Sequence, residues 1–144
     1  MSTRLERTIS VRGEPAEVFA YLADFANTAE WDPGTVEATQ VDDGPVGVGT
    51  RFHVIAQFKG RHIPLDYVVK VHDPPQHVVL VGRSARFKSR DDLTVTPAGD
   101  GFVRIGYIAE FELRGLLRFV EPLLRGQFDK LADDAVAGLE KALR

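Results

Sequence analysis

Hydrophobic and polar positions alternate along most of this chain, and a helical period replaces the alternation in three stretches. Residues 4–11, RLERTISV, carry Leu5, Ile9 and Val11 on one side of a period-two pattern, which predicts a first strand. RGEP ends it. Pro15 then suits the first turn of a helix, where its missing N–H costs nothing, and Val18, Phe19, Leu22 and Phe25 share one helical face. Asn27 is placed to cap a short second helix that runs to Trp31, and Pro33-Gly34 closes it.

Six strand patterns follow, at 35–41, 50–60, 62–71, 76–84, 86–96 and 102–113. DDGPVGVG separates the first two, Lys59-Gly60-Arg61 reads as a tight hairpin, DPP (73–75) breaks the third, and PAGDG precedes the last. Alternation places Phe52, Val54, Ala56 and Phe58 on one face, then Ile63, Leu65, Tyr67, Val69 and Val71, and finally Val103, Ile105, Tyr107, Ala109, Phe111 and Leu113. The chain ends in a helical pattern over 116–143, with Leu117, Val120, Leu124, Phe128, Leu131, Ala135 and Leu139 recurring every three or four residues. Pro122 either kinks this helix or marks the start of its main segment, and Gly115, Gly126 and Gly138 weaken it locally.

The expected architecture is therefore α+β: a seven-stranded curved antiparallel sheet wrapped around a long C-terminal helix, with two short helices between the first two strands. One helix cannot fill the concavity of a curved sheet, so a cavity is the natural remainder. The length of 144 residues suits one domain, 1–144, with a substantial core.

Composition narrows the function classes. A formal net charge of -3 argues against a general nucleic-acid binder. The chain has no cysteine, which excludes disulfide scaffolds and thiolate catalysis and suits a reducing, cytoplasmic setting. MSTRLERTIS is too polar for a signal peptide, and no segment approaches the roughly 20 apolar residues that span a bilayer.

Several segments, in order, carry a resemblance. ISVRGEPAEVFAYLADFANTAEWDP, VGVGTRF, VHDPPQHVVLVG and YIAEFELRGLLRFVEPLL together resemble the START-like helix-grip superfamily, in particular its polyketide cyclase/dehydrase-like (SRPBCC) branch. The resemblance covers nearly the whole chain and implies the fold drawn above. It does not imply one reaction, because this superfamily contains aromatases, cyclases, lipid carriers and hormone receptors.

Within that fold, Trp31 has two readings: a ring laid over a ligand, or a wedge closing the open end of the core. Tyr67 and Tyr107 lie on apolar faces, so their hydroxyls are polar points in a greasy chamber. Phe52, Phe58, Ser89, Phe111 and Phe128 complete the expected ligand-binding wall. Asp91 shares a face with Phe87, Ser89, Leu93 and Val95 if the register of 86–96 is unbroken, and desolvation would then raise its pKa. If SRDD forms a bulge or turn instead, Asp91 sits in water, and this is the favoured reading. Tyr67, Asp91 and Tyr107 are the candidate catalytic residues.

Arg83 and Arg86 flank a strand-to-strand turn and read as residues that keep an edge soluble. His53, His62, His72 and His77 match no metal-ligand spacing and read as surface residues. No glycine-rich stretch fits a phosphate loop and no serine sits in a nucleophile elbow. No metal or cofactor is expected.

The leading expectation is a monomer or homodimer that binds a hydrophobic small molecule, polyketide-, lipid- or isoprenoid-like. An aromatase- or cyclase-type enzyme acting by proton transfer is the runner-up, and an interaction module filled by its own side chains is a third possibility.

Overall fold

The structure is a computed structural model that describes residues 2–143. Its elements are β1 (Thr3–Arg12), α1 (Pro15–Ala23), a 3-10 turn (Phe25–Asn27), α2 (Thr28–Trp31), β2 (Thr35–Gln40), β3 (Arg51–Phe58), β4 (Arg61–Asp73), β5 (His77–Arg83), β6 (Phe87–Gly99), β7 (Phe102–Leu113), two further 3-10 turns (Gly115–Phe119 and Glu121–Leu124) and α3 (Arg125–Ala142). The strands form one antiparallel seven-stranded sheet in the order β1-β7-β6-β5-β4-β3-β2. The chain passes from one edge strand to the other through α1 and α2. α3 packs against β1, β7 and α2, which gives the helix-grip arrangement that the alternation implied.

Local chemistry explains most boundaries. Pro15 opens α1, which buries Val18, Phe19, Leu22 and Ala23. Asp24 starts the following 3-10 turn by accepting the Ala26 N–H at 3.2 Å. Asn27 precedes α2, but its side chain does not cap that helix; its amide donates back to the Tyr21 carbonyl at 3.0 Å. The acidic residues of α3 face outward. Asp129 and Asp133 accept from Arg7 of β1 at 3.0 and 2.7 Å, tying the helix to the edge of the sheet, and Lys130 pairs with Asp134.

Besides the Asn27 cap, two expectations are corrected. Helical structure does not run unbroken from 116: α3 begins at Arg125, so Pro122 marks the approach to the main segment and does not kink a longer helix. The pyrrolidine ring cannot follow an α-helical carbonyl one turn earlier, and the chain takes short 3-10 turns instead. Leu116, Phe119 and Leu123 are consequently exposed, and Val120 leaves the buried stripe, which consists of Phe128, Ala132, Ala135 and Leu139. The second correction is in β4. A bulge between Val69 and Val71 opposes two residues of β4 to one of β5, so the faces exchange. Val71 becomes exposed, and His72 turns inward with its ring 5.5 Å from that of Phe19.

One buried carboxylate holds the approach to α3. Glu121 is 1% exposed. The Leu113 N–H donates to its Oε1 at 2.9 Å and the Thr3 hydroxyl to its Oε2 at 3.3 Å. Glu121 thus fastens the 3-10 segment to the end of β7 and the start of β1, and satisfies a buried backbone donor that would otherwise cost about 1–3 kcal/mol.

Candidate functional site

A cavity lies between the sheet and α3. It opens to solvent and leaves about 90 Å³ free for the centres of water-sized spheres. β3, β4, β6 and β7 supply one wall, α3 supplies Phe128, Leu131, Ala132 and Ala135, and the segment from Phe25 to Thr35 supplies the rest.

Four phenylalanines form one part of the lining. Phe128 of α3 is stacked between Phe58 of β3 (centroids 5.3 Å apart, planes at 16°) and Phe111 of β7 (4.8 Å, 11°), and Phe87 meets Phe58 edge-on. Phe58, Phe111 and Phe128 therefore line the cavity as their faces implied. Phe52 does not: it is fully buried on the same face of β3 as Val54, covered by the 3-10 turn, where it meets Phe25 edge-to-face at 6.2 Å.

The polar part of the lining is built on strand register. β6 runs unbroken from Phe87 to Pro97 against β7, with Asp91 opposite Ala109 and Leu93 opposite Tyr107. SRDD is neither a bulge nor a turn, and Asp91, expected in water, is 5% exposed and faces the cavity between Ser89 and Leu93. The Tyr107 hydroxyl donates to Asp91 Oδ1 at 2.8 Å. Tyr67, with Ser89 and Asp91 as the polar neighbours of its hydroxyl, lies on the same wall. Its ring rests on Gly82, its cross-strand partner, where an added Cβ would stand within 2.7 Å of the ring carbons. No other residue lets the tyrosine lie that close to the strand.

Trp31 is 3% exposed and lines the cavity with its ring edge-on to Tyr107 at 6.3 Å. The ring closes the core and faces the hollow. The next residue, Asp32, carries no site signal in the sequence. Asp-Pro-Gly reads as a turn signature, and the carboxylate does make the turn: Oδ1 accepts the Gly34 N–H at 2.8 Å and Oδ2 the Thr35 hydroxyl at 3.2 Å. It also faces the cavity. Gly82 and Asp32 take their meaning from tertiary neighbours, which no local pattern reveals.

The electrostatics follow from burial. Desolvation raises Asp91 to about 6, against hydrogen bonds from Tyr107 and Tyr67 that lower it, and the charge of Asp32 adds to the rise. Burial also raises Asp32, opposed by the Gly34 and Thr35 hydrogen bonds. Tyr67 and Tyr107 are pushed well above the ordinary phenol value by burial and by the Asp91 charge, so both stay protonated. Folding therefore takes up a proton at Asp91 between the unfolded value of 3.8 and about 6. Its contribution to stability is present at low pH and is lost as pH rises through about 6. The stability difference between the wild type and Asp91→Asn is expected to move against the wild type by about 2 kcal/mol from about pH 4 to about pH 7, in urea melts. Parallel pH curves for the two proteins would contradict a buried carboxylate at this position.

The remaining candidates lie elsewhere. Arg83 and Arg86 are exposed at the β5–β6 turn and do not line the cavity. His53 is exposed and pairs with Asp66, His62 is exposed, and His77, which is partly buried, meets Asp92 at 2.7 Å. Among the described residues, no group of three or more His, Cys, Asp or Glu side chains is placed to hold a metal ion. Among the described residues, no helix is long and apolar enough to cross a membrane.

Comparison with solved structures places this geometry among known folds. The chain is similar to a START superfamily protein from Mycobacterium smegmatis, at 12% identity and a TM-score of 0.81, over 97% of this chain and 96% of that one. It is similar to the ZhuI aromatase/cyclase from Streptomyces sp. R1128, at 12% identity and a TM-score of 0.77, over 99% and 92%. A protein from Thermus thermophilus is similar at 16% identity and a TM-score of 0.79, over 99% and 97%. At such identities the likeness shows the fold alone. No curated protein matches the sequence. A family match does: the family described as polyketide cyclase/dehydrase and lipid transport covers residues 2–144, and the chain belongs to it.

Proposed function

We propose that the protein binds a hydrophobic small molecule, of polyketide, lipid or isoprenoid character, in the cavity between the sheet and α3. The observation that carries this reading is a hollow whose lining is mostly apolar and aromatic, with a few polar groups drawn together at Asp32, Tyr67, Ser89, Asp91 and Tyr107. Burial of ligand surface at roughly 25 cal/mol per Å² supplies affinity, and the polar groups set orientation. Membership of a family named for cyclases, dehydrases and lipid transport agrees with it.

One observation favours a second reading, proton-transfer catalysis on a bound ligand. Asp91 is held near neutrality beside a phenol, the condition a general base needs. A solvatochromic dye separates the outcomes. Nile red is expected to bind the wild type saturably with a blue shift, to bind Asp91→Asn equally, and to lose roughly tenfold in affinity in Ala135→Leu, which fills the cavity. Native mass spectrometry of freshly purified protein should show a bound apolar compound. Absence of saturable dye binding would overturn the ligand reading, and turnover abolished by Asp91→Asn would establish the catalytic one.

A further inference from the structure

We propose that the cavity selects ligands carrying a protonated amine on an apolar body, and rejects carboxylates of the same length. This rests on the reading of the cavity as a ligand site, and on its charge and hydrogen-bond polarity. The lining contains two carboxylates, Asp32 and Asp91, and no lysine, arginine or histidine. None of the elements around Asp91 brings a cation to it. β4 offers the Tyr67 phenol, β6 offers Ser89, β7 offers the Tyr107 phenol, and the turn after α2 offers a second acid, Asp32. α3 contributes only Phe128, Leu131, Ala132 and Ala135 to the lining, while Asp134 behind it adds negative charge at Asp32.

Hydrogen-bond direction points the same way. The Tyr107 hydroxyl already donates to Asp91, that of Thr35 to Asp32, and that of Thr28 to the Phe25 carbonyl. What these hydroxyls have left to offer a ligand is lone pairs. Besides the exposed Gln57 amide and the Trp31 indole N–H, the lining presents acceptors around its two acids; these recognise a donor, and an ammonium group is the strongest donor that also answers the charge. Buried carboxylates are ordinarily paired with a cation, and here the lining provides none. The rings of Trp31, Tyr67 and Tyr107 stand beside the acids and add cation–π attraction for a desolvated ammonium. A carboxylate ligand would meet two like charges with nothing to offset them.

The test is displacement of Nile red from the wild type by n-decylamine, n-decanol and decanoate, each below its micellar concentration. At about pH 7 the amine is expected to displace the dye at a concentration roughly tenfold below that of the alcohol, and decanoate to be the weakest. The amine's advantage should fall as the pH drops through about 6, where Asp91 takes up its proton while the amine keeps its charge. Asp91→Asn and Asp32→Asn, verified as folded by their melting curves, should each reduce the amine's advantage over decanol. Decanoate or decanol matching the amine on the wild type would overturn the proposal and leave the ligand reading standing. If Nile red itself does not bind, both fall.

Discussion

Phe128→Ala is expected to cost the protein about 3–5 kcal/mol of stability and to widen the cavity at the same time. Phe128 is 1% exposed and is the only α3 side chain in the aromatic stack, between rings from β3 and β7. Its removal loses the transfer free energy of a whole ring together with two nearly parallel ring contacts, and leaves Phe58 and Phe111 facing each other across a gap. Against a total stability of the order of 5–15 kcal/mol, that is a large fraction. For a chain of this size it corresponds to a fall in melting temperature of roughly 10 °C or more. The gap joins the existing hollow, so a bulkier dye that the wild type excludes should now bind. A loss below about 1 kcal/mol would mean that the ring is not packed as the stack requires.

The sheet was legible because its signal is local and repeated. In β3, β6 and β7 every second residue points inward, and unbroken pairing of β6 and β7 from Phe87 to Pro97 keeps those faces true. Legibility ends where one residue changes the count. Lys70 is an ordinary polar position in the alternation of β4, yet the bulge there sends Val71 outward and His72 toward Phe19. Asp91 is the opposite case. SRDD looks capable of a bulge, and the unbroken ladders to β5 and β7, with Tyr107 placed to donate, keep it in register. The cavity residues with aromatic rings were visible as members of a face. Asp32 was not, because its turn-making role accounts for it locally and its second role depends on what folds over it.

Gly138 shows the same division between local and tertiary meaning, and it sets up a sharp expectation. From helix propensity alone Gly138→Ala should stabilise α3 by about 1 kcal/mol. In the fold the added methyl would overlap the Trp31 carbonyl oxygen and stand 3.4 Å from Pro33 Cδ. The Trp31 carbonyl is backbone at the end of α2, so it cannot swing aside as the tip of a flexible side chain would. α3 must move away from α2, and the expected net result is a loss of about 2–4 kcal/mol. Gly126, in the first turn of the same helix, has nothing within 4 Å of an added Cβ, and Gly126→Ala should gain up to about 1 kcal/mol. The same substitution in one helix therefore has opposite signs, measurable by urea denaturation of the two variants side by side. Trp31 is the single tryptophan in the chain and is buried against Tyr107, so it reports the displacement directly. Its emission in folded Gly138→Ala should shift to the red while that of Gly126→Ala stays put. Equal stabilisation of both variants, with unchanged emission, would show that α3 does not press on the end of α2, and the wall that holds Trp31 over the cavity would have to be redrawn.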